Sequence, residues 1–484
     1  MLGNGVRSFP GKGTGIDWWT LSWTFFLAER LAGSKLMPYI AEGLFTHSLV
    51  MGALLGVVLW TLYRYDLCHW LSFGFWSWAA FALYFLITPL IQFYGDPYYL
   101  ESRLAVTEGL PRMLWVTCCL AAGISVYFWA YFRTVPSRLN FGLSKEEWPP
   151  GTWLVLILAL AGGTYSLIYF RGAFGLEMIP REIVQGKYKG EVMGYQAVMH
   201  YFATFPIILL LLRRSTRVLG LVLAGVFLLA RLEDAWDRFS AVSLLLALTM
   251  VFTLLKNRRW PHVALLASIV LFTLLMHARG HLPISKFRAS GKMTVETSKK
   301  EVQRGEVASM LATLYLKTYL HDRGGYNYGV PFISQLIFGP LPRKYFPWKD
   351  WLMEEFSPDV DYLHIPGSKM LYGAKHSVIG DLYGFGNIVA ITAGMWFLGF
   401  FCRKLDGFLS PQRPQAVNAI GICWLSSLWL MLGSSLAWFS CALYLNAIPF
   451  IGMVICAKFQ EGPIFFSSPR KLKLSNKIGK SRSD

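Results

Sequence analysis

Residues 205–259 read FPIILLLLRRSTRVLGLVLAGVFLLARLEDAWDRFSAVSLLLALTMVFTLLKNRR. Three apolar blocks follow one another, read as 195–212, 217–232 and 239–255. Each is near the length a helix needs to cross about 30 Å of hydrocarbon. Between the first two stand Arg213, Arg214 and Arg217, and after the third stand Lys256, Arg258 and Arg259. The turn between the second and third, RLEDAWDR at 231–238, is mixed in sign. Apolar spans with cations gathered on alternate loops are the pattern of a polytopic helical membrane protein, whose cytoplasmic loops carry the excess of Lys and Arg.

The rest of the 484-residue chain repeats that pattern. Hydrophobic residues make up 54% and charged residues 15%, against about 25% charged in soluble domains. The mean hydropathy of +0.42 points the same way. Further spans are read near 40–63, 69–94, 112–132, 152–170, 260–276, 383–402, 416–433 and 435–456, giving about 11–12 transmembrane helices once the short stretch WWTLSWTFFLA (18–28) is counted as a partial or interfacial segment. Arg64, then Arg133, Arg138 and Lys145, then Arg403 and Lys404, and the tail RKLKLSNKIGKSR (470–482) join the same set of alternate loops. The rule assigns all of them to the cytoplasm. The net charge of +18 is therefore mostly topological, and no nucleic-acid partner is expected. The seven cysteines, Cys68, Cys118, Cys119, Cys402, Cys423, Cys441 and Cys456, lie in or beside apolar segments and form no metal or disulfide spacing. No cleavable signal peptide is expected.

The organisation reads as an N-terminal segment 1–39, transmembrane helices over 40–276, a large extracytoplasmic loop 277–380, C-terminal transmembrane helices over 381–457 and a basic cytoplasmic tail 458–484. Within the long loop, Ser298-x-x-Glu301 resembles a capping box. Val307, Met310, Leu311 and Leu314 recur at helical spacing. Gly324-Gly325 supplies the stop. The loop is thus expected to be a folded lid that holds an amphipathic helix, which packs on the other spans or lies at the interface.

Polar candidates concentrate on the extracytoplasmic side. Arg103, Arg112, Arg171, Arg181, Arg231, Arg238, Arg279, Arg343 and Lys344 fall there. A charge at a span boundary usually pairs or faces a polar cavity, and the planar guanidinium suits phosphate oxygens. These cations therefore either hold a phosphate-bearing ligand, snorkel to headgroups, or pair with Glu233, Asp234 and Asp237. The segment FGPLPRKYFPWKDW (338–351) is stiffened by Pro340, Pro342 and Pro347. It offers Arg343, Lys344, Tyr345 and Trp348 at the membrane edge, either as an interfacial anchor or as a surface for sugar rings. In AKHSVIGDLYGFGN (374–387), His376 and Asp381 are candidate general bases, and Gly380, Gly384 and Gly386 permit close approach. His376 reads equally as an ordinary loop histidine. Asp359-x-Asp361 is a weak metal-type pair, and His364 a weaker base candidate than His376.

Taken together, residues of about 150–405 resemble the O-antigen polymerase (Wzy-type, oligosaccharide repeat unit polymerase) family. The resemblance is strongest in YGVPFISQLIFGPLPRKYFPWKDW (328–351) followed by HSVIGDLYGFGNIVAITAGMWFLG (376–399), and extends to RLEDAWDRFS (231–240). It implies a GT-C-like helical fold without a metal or cofactor. It implies transfer of a glycan from undecaprenyl pyrophosphate to the next lipid-linked repeat unit, at the outer face of a bacterial inner membrane. Arg171, Arg181, Arg231, Arg238 and Arg343 would then steady the pyrophosphate with Lys344. His376 or Asp381 would be the base, and Tyr345, Trp348 and Tyr383 would shape the sugar sites. A chain-length regulator and a flippase of the same pathway are the implied partners. An O-antigen ligase-type transferase shares this architecture. A transporter or flippase, or a scaffold of an assembly complex, are readings of other classes.

Overall fold

The computed structural model describes residues 37–90, 110–143, 147–176, 178–179, 199–233, 238–262, 266, 310–330, 332–333, 348, 377–433 and 436–460. Among them, eleven α-helices carry the fold: α1 (Met37–Arg64), α2 (Phe73–Ala82), α3 (Leu110–Arg133), α4 (Thr152–Tyr165), α5 (Thr204–Leu212), α6 (Arg217–Glu233), α7 (Arg238–Leu255), α8 (Met310–Gly324), α9 (Ser377–Asp406), α10 (Gln415–Gly433) and α11 (Leu436–Gln460). α2 and α4 run on through π-helical turns at Leu83–Ile87 and Ser166–Phe170, and a 3-10 turn at Met199–Ala203 leads into α5. Among the described residues, six helices are long and apolar enough to cross a membrane: Glu42–Arg64, Phe73–Leu90, Leu110–Arg133, Thr152–Phe170, Ser377–Asp406 and Ala442–Phe459. Met199–Leu212, Ser240–Leu255 and Gln415–Leu428 are apolar but shorter. Every expected span except 260–276 thus meets a described helix. That span, apart from residues 260–262 and 266, lies outside the described residues, as do 18–28, Ser298, Glu301, Val307 and residues 461–484 of the tail.

Packing explains why a short element such as α5 is tolerated. All nine of its residues are buried, and it touches α6, α7, α10 and α11. Pro206 sits in its first turn, where a missing N–H costs little. Lipid-facing helices expose their apolar side chains instead, as Phe45, Leu49, Val57 and Trp60 do on α1.

The cationic loops meet at one end of the bundle. Arg259 pairs with Asp66 at 2.7 Å, and the Trp70 amide donates to the Arg259 carbonyl at 3.0 Å. Arg413 donates to the carbonyls of Ser137 (2.8 Å) and Leu139 (3.0 Å). The Ser137 amide donates to the Lys404 carbonyl. The Arg213 guanidinium lies 4.3 Å over the Trp148 ring. Asp406 joins the two halves of this end: its carboxylate accepts from the Phe73 amide at 2.9 Å, capping α2, and bonds Arg403 and the Tyr131 hydroxyl. Five loops that the sequence assigns to one compartment are therefore contiguous in space.

α9 departs most from expectation. The sequence puts a span at 383–402, but the helix begins at Ser377 and is broken at Gly386 and Asn387, whose dihedrals are non-helical. Leu382 packs on Gly394, its Cδ1 2.8 Å from where a Cβ would stand. Twelve residues of straight helix would separate them by about 18 Å. The arm 377–385 is thus folded back on 388–406, and it is the latter that has spanning length. Two backbone groups at the break find new partners. The Gly384 carbonyl, released from its helical partner, accepts from the Asn327 amide at 2.8 Å, and the Ile388 amide donates to the Asn387 side chain at 2.6 Å.

Candidate functional site

The folded-back arm and α8 meet at the end opposite the cationic loops. α8 ends where the glycines predict, with Gly325 in the left-handed region at φ 93° and its amide on the His321 carbonyl. Its buried face carries Leu311, Leu314 and Tyr315, and also Lys317, Thr318 and His321. Lys317 is 2% exposed and lies 3.3 Å from the Asp381 carboxylate on the arm. The other Asp381 oxygen accepts from the Leu436 amide at 2.8 Å, so Asp381 also caps the first turn of α11, where a negative charge is favoured.

A second network lies beside it. Asp322 bonds the Arg112 guanidinium of α3 through one oxygen. Its other oxygen accepts from the hydroxyls of Tyr383 (2.6 Å) and Tyr326 (2.8 Å). The Trp115 indole donates to the Tyr383 hydroxyl at 3.0 Å. His321 donates from Nδ1 to the Gly325 carbonyl at 3.1 Å, since a carbonyl can only accept. In the neutral ring that bond fixes the tautomer protonated at Nδ1, and Nε2 is the ring's other nitrogen. This atom faces Gly384, where a Cβ would come within 2.7 Å. Only a glycine lets the ring pack there. The Arg323 guanidinium stands 4.4 Å over the Tyr319 ring at the exposed end of α8. Asn387 adopts φ 61°, ψ −153°, a region that is nearly glycine-only and costs about 1–3 kcal/mol elsewhere. Gly386, at φ 170°, is merely extended. Strain at Asn387, a broken helix and two ion pairs thus coincide at one place.

The Asp322 carboxyl titrates below its ordinary value. Burial pushes it up, and is the largest single influence, but hydrogen bonds from Tyr383, Arg112 and Tyr326 together with the Arg112 charge outweigh it. Tyr326 is displaced upward by burial and by Asp322. A depressed carboxyl adds stability that is present above its unfolded value near 3.9 and is lost as pH falls through the folded value. A raised phenol adds stability present below about 10 and lost as pH rises through its folded value. The protection of α8 amides, meaning exchange relative to the intrinsic rate at each pH, is therefore expected to stay flat from about pH 5 to pH 9 and to fall below about pH 4. Asp322→Asn should abolish that acid limb. An acid limb unchanged in the variant would separate Asp322 from the docking of α8.

Of the residues expected from sequence, Asp381 and Tyr383 enter this end of the bundle, on the arm. Arg231 belongs to a different cluster. It is 1% exposed and donates to the carbonyls of Ser240 (3.2 Å) and His200 (2.9 Å) and to the Thr204 hydroxyl (2.9 Å). It thereby ties α6 to α7 and to the turn before α5. Arg171 is half-buried after the π-turn that ends α4, and Trp348 is exposed. Arg238 opens α7, but its side chain is not among those described. Arg103, Arg181, Arg279, Arg343, Lys344, Tyr345, Asp359, Asp361, His364 and His376 lie outside the described residues. Sequence reasoning missed Lys317, His321, Asp322 and Tyr326, and took Arg112 as one of many outer cations. The available signal was Lys317 and His321 continuing the stripe of Leu311 and Leu314 at i+3 and i+4. No family model, curated protein or solved structure matches the chain.

Proposed function

We propose that the chain is a GT-C-like glycosyltransferase that polymerises lipid-linked oligosaccharide repeat units into a surface polysaccharide at the extracytoplasmic face of a bacterial inner membrane. The observation that carries this reading is the polar end formed by α3, α8 and the folded-back arm, on the side away from the cation-rich loops. There Arg112 and Arg323 of α3 and α8 lie against the Tyr319 ring and Lys317 of α8 meets Asp381 of the arm, beside a strained helix break. The reaction needs such surroundings. An acceptor hydroxyl oxygen bonds to the anomeric carbon of the donor glycan, and the bond from that carbon to pyrophosphate breaks. The hydroxyl proton passes to a base, and undecaprenyl pyrophosphate leaves with its charge. Fixed cations in a water-poor cleft stabilise that charge as it develops.

In this reading Arg171, Arg181, Arg231, Arg238, Arg343 and Lys344 remain the proposed pyrophosphate side. His376 and Asp381 remain the proposed bases, and Tyr345, Trp348 and Tyr383 the sugar contacts. Both oxygens of Asp381 are already engaged, which favours His376 for the proton. The helix break favours a second reading, because transporters place substrates at interrupted helices. An O-antigen ligase-type transfer is a third outcome of the same experiment.

The test is the glycan made by cells lacking the chain, complemented with wild type, Arg343→Ala or His376→Ala, with membrane levels of each checked. Both variants, present at normal amounts, are expected to leave single-repeat glycan, as the deletion does. Normal polymer from both sinks the assigned site. Long glycan left on its lipid carrier would mean a ligase, and repeat units trapped on the cytoplasmic leaflet a flippase.

A further inference from the structure

At the cationic end, a groove of about 370 Å³ is lined by Asn140, Phe141, Gly142, Val454, Ala457 and Lys458. One wall is the segment after α3, and the other is the last turns of α11. The first wall is built rather than loose. Arg413 holds the Ser137 and Leu139 carbonyls. The Phe141 ring packs edge-on against Phe408 (5.6 Å) and Phe450 (5.2 Å). Gly142, at φ 71°, turns its amide onto the Asn140 side chain at 3.1 Å. The second wall continues into lipid. Ile448, Ile451 and Ile455 are each about half exposed and succeed one another along one side of α11, leading to Lys458 and the exposed Phe459.

We infer that this groove is a binding site for one anionic phospholipid of the leaflet that faces the cationic loops. The amphipathic shape fits: a polar recess with Lys458 for a phosphate, and an apolar track for acyl chains. The charge fits too. Arg138, Lys404 and Arg413 lie on the segments around the recess, while the nearby Asp406 carboxylate is already bonded to Arg403, Tyr131 and the Phe73 amide. Basic recesses between helices at the cytoplasmic surface take acidic headgroups in this way. The chain's own tail is a poor occupant, since RKLKLSNKIGKSR has the same sign as the recess. The inference is independent of the proposed transfer reaction.

The experiment uses the full chain in phosphatidylcholine nanodiscs with added phosphatidylglycerol, followed by delipidation and native mass spectrometry. Wild type is expected to keep one phosphatidylglycerol. Lys458→Glu should lower its occupancy by about tenfold or more, because the swap removes one attraction of about 1 kcal/mol and adds a repulsion of similar size. Lys256→Glu makes the same charge change at the end of α7 and should keep the lipid. Equal retention in all three proteins, equal loss in both variants, or displacement by inorganic phosphate would overturn the site.

Discussion

Replacing Asp381 with leucine should destabilise the protein by about 3–5 kcal/mol, the usual result of deleting one partner of a buried ion pair. Lys317, 2% exposed, would keep its charge without its carboxylate. The Leu436 amide would lose its acceptor at the start of α11. Asp381 bridges the arm 377–385 to both α8 and α11, beside the Tyr383–Asp322 bond to α8, so the damage should spread to both. Replacing the pair together, as Asp381→Leu with Lys317→Met, should recover much of the loss, because well-packed apolar pairs often match buried ion pairs in stability. Asp381→Asn keeps an oxygen for the Leu436 amide and should fall between. The measurement is thermal unfolding of the purified proteins in one detergent, read as a double-mutant cycle. Additive losses would mean that Lys317 and Asp381 do not compensate each other. The same variants bear on the proposed chemistry. A stable Asp381→Asn protein that makes no polymer would restore Asp381 as the base.

The spans were legible because two independent signals agree. Apolar blocks such as TWLVLILALAGGTYSLIYF (152–170) have the length to cross, and the cations between blocks fall on alternate loops. The contacts Arg259–Asp66, Phe73–Asp406, Arg413–Ser137 and Arg213–Trp148 then bring those loops to one end. The polar end was less legible. Gly380, Gly384 and Gly386 announce that something approaches closely, but glycines do not say whether a helix bends, breaks or reverses. The residue that turns the chain is Asn387, which carries the positive φ while Gly386 stays extended. The ion pairs were hidden by distance along the chain. Arg112 and Asp322 are 210 residues apart, and Lys317 and Asp381 are 64 apart. A loop charge and an apolar-face charge look alike until the stripe around Lys317 is drawn. The partners of Arg231 were hidden in another way. A cation at a span end looks available to a ligand, yet its guanidinium bonds two backbone carbonyls and a threonine.

Gly399→Leu should prevent the bundle from assembling, and Gly399→Ala should cost at least the roughly 1–3 kcal/mol typical of overpacking. The reason lies in what the new atom would meet. A Cβ at Gly399 would overlap the Tyr127 carbonyl oxygen and stand 2.9 Å from its carbon. Those are backbone atoms of α3, so no rotamer change relieves the clash and the two helices must part. α3 and α9 pack along one another more extensively than any other described pair. Where lipid surrounds a bundle, small residues are what let such backbones approach. Separation would carry further, because Tyr127 bonds Ser77 of α2 at 2.5 Å and Tyr131 bonds Asp406. Gly386→Ala is the contrasting case. Its φ of 170° suits any residue, and the nearest atom to a new Cβ is the Ala390 methyl at 3.5 Å. That substitution should be nearly neutral although it falls at the break itself. Yield and monodispersity after detergent extraction read both predictions. A well-behaved Gly399→Leu protein, or a collapsed Gly386→Ala protein, would show that the α3–α9 contact and the backbone of the break are not as described.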